Sequence, residues 1–515
     1  MGKLFKVNDD LFADDCGISG KSFFLGDKAY DEEKARKPLP DFREIKHLLP
    51  VPFREGHNID TDCYMKAFEI AFGNLKKAKR EAGFVSDFID TAFNGYLFMW
   101  DSSFIMMFTS YADHIFDFQA TLDNFYSHQH RDGFICREIC EDQDGAQFTR
   151  DDPASTGPNV LPWAEWEHYL KTRDKDRLAK VFDPLCAYHR WVRNNRSWQD
   201  GSYFSCGLAC GMDNQPRQKG YEPTVSHGFM SWIDATSQAC LSAETLIAMS
   251  KELGRDSEPF VKELKEECKN INNIVNERMW DEKTSFYYDT DRRGKTTGVK
   301  TIGAYWALLA GIVPEDRAKA FAAHLDDEGE FKRPVMIPTL PKDDPHYRAD
   351  GGYWLGGVWA PTNYMVLKGL EKYGMHEKAH EIAKNYVAAV TEAFAKYGSI
   401  YENYAPEEAG PGSPAKSDFV GWSGLGPVAI LFEYVFGIKP KSDGTVEWRV
   451  FLTDAHGIKG YRLGANIIDL YCAGRGDTCE KPEITIKCTL PVKVRVIWEK
   501  GEFVCEGILG DEEKD

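Results

Sequence analysis

The feature that most narrows the fold is an apolar period of helical spacing that starts near Asp62 and keeps returning until about residue 438. Tyr64, Phe68, Phe72 and Leu75 fall three or four positions apart, so they share one face of a helix. Segments of the same kind recur at 103–126, 161–171, 176–195, 229–254, 257–279, 299–311, 315–325, 357–373, 376–397 and 424–436. The loops between them are rich in Gly, Pro, Asp and Trp. A helix with one apolar stripe must bury it against another element, and paired helices joined by short and long loops suit a toroid of helical hairpins. In such a toroid the long loops gather at one end and wall a pocket. No strict sequence repeat is present.

The two ends read differently. Residues 1–60 are irregular, with KPLPDF and LLPVPF marking turns. After Gly437 the period shortens to two: VEWRVFL (446–452), NIIDLYCA (466–473), EITIKCTL (483–490) and VKVRVIW (492–498) alternate apolar and polar residues. The expected division is an irregular N-terminal segment (1–60) packed on a helical domain (61–438), followed by a small antiparallel β module (439–515) whose GDEEKD tail frays. The fold class is mainly α.

Charge and composition exclude several roles. The formal net charge of −18 argues against a nucleic-acid partner, which Lys and Arg must neutralise, and against an anionic membrane surface. No run of about 20 apolar residues is long enough to span a bilayer. The opening text, MGKLFKVNDDLFADD, lacks the apolar centre of an export signal. The 13 cysteines are odd in number and sit in apolar contexts such as SQACLSAETLIAM, so they read as reduced, packed thiols. The expectation is a cytoplasmic protein of open oligomeric state that needs no cofactor. Many of the 13 Trp lie beside acids or glycines in turn-like text. Flat aromatic faces beside carboxylates suit pyranose rings, although on composition alone core or interface filling explains Trp better.

Four loop segments concentrate polar, aromatic and glycine residues. NGYLFMWDSSF carries Trp100 and Asp101, and GLACGMDNQPR carries Gly211, Asp213 and Arg217. DGGYWLGGVWAPTN carries Tyr353, Trp354 and Trp359; IYENYAPEEAG, followed by DFVGWSGLG, carries Glu402 and Trp422. Each has a plain structural alternative. Asp101 before two serines is a ready helix N-cap, Asp213 and Asn214 ahead of Pro216 make an Asx-type turn, and the paired glycines serve tight turns. Together they place two isolated acids among Trp- and Gly-rich loops on a helical scaffold. Glycoside hydrolysis requires such a pair: one carboxylic acid protonates the leaving oxygen, and a second carboxylate activates water or attacks the anomeric carbon.

The stretch from about 94 to 438 resembles glycoside hydrolase family 63 and its trehalase relatives, nearest the mannosylglycerate hydrolase-like branch. WDSSF resembles the family's Trp-Asp-Ser signature, GMDNQPR the segment of the general acid, and GGYWLGGVWAPTNY the Gly-Gly-Tyr-Trp signature. ENYAP and FVGWSGLGPVAIL resemble the general-base segment and the closing helix. The resemblance implies an (α/α)6 barrel and an inverting exo-acting enzyme on small α-glucosides or α-mannosides, such as a glycosylglycerate. It makes Asp213 the general acid and Glu402 the general base, with carboxyls about 6.5–9.5 Å apart. Trp100 and Asp101 would hold the sugar, and Tyr353, Trp354 and Trp359 would supply hydroxyl contacts and stacking faces. Gly211 would let backbone approach the sugar, Arg217 would orient the acid or a substrate group, and Trp422 would line the wall. Tyr401, Asn403 and Tyr404 are the donors nearest Glu402 in sequence. One departure is TGPNVLPWAEW, where the family often has Gln-Pro-Pro; Asn159 is the polar residue available there.

Other signals favour structure. His128 and His130 read as loop hydrogen-bonders and not as a metal pair. Asp289 and Asp291 read as a turn, since the glutamate of a calcium loop is missing. Cys206 and Cys210 read as packing under the pocket. Arg131, Asp132 and Gly133 lie in a loop with reach to the pocket. Two other classes compete with hydrolysis: a sugar epimerase or isomerase on the same barrel type, which would lean on histidines, and a non-catalytic carbohydrate-binding protein.

Overall fold

The computed structural model describes residues 36–509 apart from 80–81, 92–94, 142–144 and 420, together with Glu33 and two short paired strands, Leu4–Lys6 and Phe12–Asp14. The GDEEKD tail lies outside the described residues. Helices α1 (Asn58–Gly73), α2 (Met99–Thr109), α3 (Leu161–Thr172), α4 (Lys175–Arg196), α5 (Ile233–Glu252) and α6 (Pro259–Ile274) come first. Then follow α7 (Trp306–Leu309, entered through a 3-10 turn at Ile302–Tyr305), α8 (Glu315–Ala323), α9 (Ala360–Lys372) and α10 (His376–Tyr397). The last, α11 (Gly426–Val435), is wound with wide π-type turns and is entered through a 3-10 turn at Ser423–Leu425.

Local chemistry sets the helix ends. Proline stands in the first turn of α3 and α9, where a missing N–H has no intrahelical partner to lose. The Asp174 carboxylate accepts the Arg177 N–H at 2.8 Å and caps α4. Gly398, with φ of 71°, stops α10. The helix expected over 103–126 is interrupted. Regular α-helix stops at Thr109, 3-10 turns occupy Ser110–Ala112 and Phe118–Leu122, and a short helix covers Asp123–Ser127. Asp117 is the reason for the second turn: its carboxylate accepts the Ala120 N–H at 3.2 Å and starts a new segment.

Six of these segments pack in a cycle. α2 lies against α3, α3 against α5, α5 against α7, and α7 against α9; α9 and α2 both contact the turn and helix at 423–435. Outside them, α4 and α6 back onto α5, α10 onto α9 and α11, and α1 onto α10 and α11. Aromatic rings fill the space within the cycle. Trp163 of α3 meets Trp306 of α7 edge-on at 5.8 Å and stacks on Tyr364 of α9 at 6.0 Å. Phe104 meets Trp163 at 5.7 Å, and Trp100 meets Phe104 at 4.8 Å. Beyond Tyr364 lies a buried charge cluster. Glu433 of α11 accepts the hydroxyls of Tyr111 and Tyr364 at 2.9 and 2.8 Å, and pairs with Lys368 at 3.0 Å and Lys171 at 3.4 Å. Burial opposes its ionisation, yet Lys368 and Lys171 outweigh burial and hold the Glu433 carboxyl below its ordinary range.

The C-terminal module differs from expectation in two ways. It recruits β1 (Val51–Arg54) from the segment read as irregular, and its sheets are mixed, not purely antiparallel. Strands β2 (Ile438–Pro440), β3 (Val446–Arg449), β4 (His456–Leu463), β5 (Asn466–Cys472), β6 (Ile484–Cys488), β7 (Lys493–Trp498), β8 (Gly501–Glu506) and β9 (Ile508–Leu509) make two sheets, β2-β3-β7-β8 and β9-β6-β5-β4-β1. The pairs β3/β7 and β6/β9 are parallel, each joined through a crossover that contains other strands. Buried Trp448 of β3 donates its indole N–H to the Phe436 carbonyl at 3.0 Å, tying the module to the end of α11.

Glu433 offers a direct test of the charge cluster. Glu433→Ala strands Lys171, Tyr111 and Tyr364 in the interior, and should cost about 3–5 kcal/mol, read as a lower urea midpoint.

Candidate active site

A cavity of about 270 Å³ opens where the loops run into the inner helices. Trp100 and Asp101 begin α2, Gly157 and Pro158 precede α3, and Asp213 lies on the way to α5. Tyr353 and Trp354 precede α9, and Glu402, Lys416, Phe419 and Trp422 precede α11. Trp100 is both wall and the first ring of the aromatic filling, so the cavity has a closed floor.

Three carboxyl groups share this space in different surroundings. Asp213 is largely buried, and burial raises its pKa to about 6 even though the Arg137 guanidinium lowers it. Glu402 is also raised by burial. Against that, the Lys416 backbone N–H donates to its Oε2 at 3.2 Å, and the Tyr353 hydroxyl reaches its Oε1 at 3.4 Å. Asp101 is pushed well above the carboxylate range by burial, with the charges of Glu402 and Asp213 adding to the shift. Asp213 is thus the carboxyl raised to about 6, while Glu402 keeps two donors that favour its ionised form.

The structure brings Trp100, Asp101, Gly211, Asp213, Tyr353, Trp354, Glu402 and Trp422 together on the cavity wall. Trp359 stands behind it, stacked on Trp354 with ring centres 3.8 Å apart and 5° between planes. Trp422 donates its indole N–H to the Glu402 carbonyl at 3.0 Å, so it fixes the Glu402 segment as well as lining the wall. Gly211 has φ of 76°, lines the cavity, and packs against the Trp100 indole so closely that a Cβ there would meet the ring at 3.0 Å. Arg217 is not in the cavity. It is fully buried, bound through Nε and Nη2 to Asp289 at 2.8 and 2.7 Å and through Nη1 and Nη2 to Asp234 at 2.5 and 2.9 Å. With both carboxylates bound in this way, it anchors the acid loop to the start of α5.

The donors on Glu402 are not its sequence neighbours. Tyr404 spends its hydroxyl on the Tyr401 N–H, and Asn403 donates to the Pro414 carbonyl at 2.9 Å. The donors come from an extended partner segment, where Glu402 N–H reaches the Lys416 carbonyl at 2.9 Å, and from the Tyr353 loop. Tyr353 holds φ of 67°, a left-handed conformation that costs a side-chain-bearing residue about 1–2 kcal/mol.

Sequence reasoning missed Arg137, Glu138, Lys416 and Phe419, all on the wall. Arg137 and Glu138 arrive there because Tyr96–Phe98 pairs with Glu138–Cys140 and the Met99 N–H bonds the Arg137 carbonyl at 2.7 Å. Arg137 also donates to the Ala154 carbonyl at 2.7 Å and pairs with Glu138 at 3.2 Å. Asn159 turns away to His189 at 3.4 Å, and Asp132 is held by the Trp191 indole at 2.9 Å. His128 bonds the Asn124 and Ala82 carbonyls, Asp291 caps a turn at Arg293 and Lys295, and Cys206 packs with Ala154 and Ala209.

Comparison with known proteins adds an independent line. Residues 95–423 match the mannosylglycerate hydrolase MGH1-like glycoside hydrolase domain. A mannosylglycerate hydrolase of Thermus thermophilus is 25% identical over 372 residues, covering 59% of this chain and 88% of its own. A Thermus thermophilus mannosylglycerate hydrolase structure in complex with glucose superposes with a TM-score of 0.58 at 21% identity, over 71% of this chain and 99% of that one. A sialidase structure reaches a TM-score of 0.69 at 12% identity, over 95% of this chain and 44% of that one. At these identities the superpositions speak for fold alone.

Gly211→Ala should be costly for two reasons, the left-handed φ and the indole. The expected loss is about 1 kcal/mol or more in chemical denaturation, with a shifted Trp fluorescence emission as the indole moves.

Proposed function

The chain belongs to the mannosylglycerate hydrolase MGH1-like glycoside hydrolase family, and from that premise we propose that this glycosidase hydrolyses a small α-linked glycoside with inversion, Asp213 acting as acid and Glu402 as base. One observation carries the reading. The two acids meet in a single cavity whose surroundings raise the Asp213 carboxyl to about 6 and supply Glu402 with two donors. Asp213 would donate its proton to the leaving oxygen while ionised Glu402 draws a proton from an attacking water.

The cavity supports exo action on a short substrate. Its floor is closed by aromatic rings, and its volume suits one sugar ring and a small aglycone. Trp100, Trp354 and Trp422 line the wall that would receive that ring. Arg137, paired with Glu138 at 3.2 Å, and Lys416 stand on a wall that also carries Asp101, Asp213 and Glu402, and the mannosylglycerate hydrolase relatives support glycerate as a candidate aglycone. No histidine lines the cavity, which weighs against an epimerase built on imidazole acid/base pairs.

The cycle of six inner helices with helices packed outside it supports the (α/α)6 toroid. The twelve described cysteines are all free thiols, eleven of them buried or half-buried, which supports a reducing, cytoplasmic setting. No helix of the described residues is long and apolar enough to cross a membrane. Among those residues no group of His, Cys, Asp or Glu is arranged to hold a metal ion, and the acid/base reading calls for none.

Asp213→Asn and Glu402→Gln should each lower kcat by about 10²–10⁴ on a panel of α-linked disaccharides and glycosylglycerates. A glycosyl fluoride, whose leaving group needs no proton, should restore the Asp213 variant and not the Glu402 variant. In the wild type, kcat/KM should fall as pH rises through about 6, where Asp213 loses its proton, and fall again at lower pH as Glu402 gains one. Asp213→Asn should abolish the upper limb. Unchanged hydrolysis in either variant would remove the assignment.

A further inference from the structure

The residue after Asp213 is held at both ends of its side chain. The Asn214 amide donates from Nδ2 to the Gly352 carbonyl at 3.0 Å, and accepts the Trp354 N–H on Oδ1 at 3.0 Å. A primary amide presents one donor edge and one acceptor, so a single side chain closes the two peptide groups that flank Tyr353. Tyr353 lies in the left-handed region, which a non-glycine residue keeps only when its surroundings fix it. Two further contacts hold the same turn: the Trp359 indole on the Tyr353 carbonyl at 3.1 Å, and the Thr339 hydroxyl on the Trp354 carbonyl at 2.9 Å. The hydroxyl of Tyr353 then faces Glu402 at 3.4 Å.

The acid loop is the fixed partner in this chain of contacts. Gln215 is bound to the Thr339 carbonyl at 3.0 Å and to the Thr301 hydroxyl at 2.7 Å, and Arg217 is locked between Asp234 and Asp289. Asn214 therefore ties both peptide groups of Tyr353 to a fixed loop, and Gln215 adds a contact to the Trp354 carbonyl at 3.4 Å. We propose that Asn214 is a positioning residue that sets the Tyr353 hydroxyl against Glu402, so that the loop carrying the acid also fixes the environment of the base. This rests on the acid/base reading of the site. It implies that separation and protonation of the two carboxyls are controlled from one side of the cavity.

The readout is the titration of Glu402 itself, which also feels Lys416, Asp213 and Asp101. Full-length protein labelled with 13C at the glutamate carboxyls would be titrated by NMR, with Glu402→Gln identifying the resonance. Tyr353→Phe removes a donor to the carboxylate, so the Glu402 midpoint should rise by about 0.5–1 pH unit. Asn214→Ala should raise it by a similar amount, and Asn214→Ser, whose hydroxyl cannot bridge both peptide groups, should do the same. The Asn214→Ala/Tyr353→Phe pair should add nothing to Tyr353→Phe alone, since both act through one hydroxyl. The proposal is overturned if Tyr353→Phe shifts the midpoint while both Asn214 variants stay at wild type, if Tyr353→Phe shifts nothing, or if the pair shows the sum of the single shifts. Failure of the catalytic reading is separate: it would appear as wild-type hydrolysis by Glu402→Gln, whatever the titration shows.

Discussion

Edge and face contacts among Trp100, Phe104, Trp163, Trp306 and Tyr364 occupy the axis of the helical cycle, and the candidate site's cavity depends on them. Helices of ordinary diameter arranged in a ring leave a channel, and a channel open at both ends would admit water and hold no sugar. Large flat rings from four different helices fill it at 4.8–6.0 Å centroid spacings. The uppermost, Trp100, then becomes the floor of the pocket. The lowest, Tyr364, passes its hydroxyl to Glu433, where two lysines and a second tyrosine hold a buried charge. Core and site are thus one continuous structure, and the desolvation that raises Asp213 follows from the same packing that holds the helices together.

Rigid support continues above the floor. Trp359 stacks on Trp354, Trp422 grips the Glu402 backbone, and Arg217 ties the acid loop to α5. None of these indole or guanidinium groups needs to touch substrate to matter. Orientation of an acid and a base on opposite sides of a bond tolerates little error, and buried hydrogen-bonded side chains keep error small.

Much of this was legible in the chain, and the limits have physical causes. The helical period gave the ends of α10 to the residue, because Gly398 is an unambiguous stop. It misread 103–126 as one helix because apolar spacing persists through 3-10 turns, while the break comes from a side chain, Asp117, that competes for backbone N–H groups. Strand β1 was invisible because its partner, β4, lies about 400 residues away. In the site, residues in Trp- and Gly-rich loops were found, since composition marks them. Arg137, Glu138 and Lys416 were not, because they reach the wall through pairing between distant segments. Arg217 sat within a catalytic-looking motif and proved to be an anchor, a role decided by Asp234 and Asp289 and by nothing local.

The central claim is that two carboxyls in this cavity cleave an α-glycosidic bond by a single displacement with water. The stereochemistry of the first-formed sugar tests it most directly. Proton NMR of the wild-type protein acting on 2-O-α-mannosylglycerate, or on whichever α-linked substrate of a panel is cleaved, reads the anomeric signal before mutarotation. The account predicts the β-anomer first. Initial release of the α-anomer would contradict it, and would require Glu402 or Asp101 to act as a nucleophile.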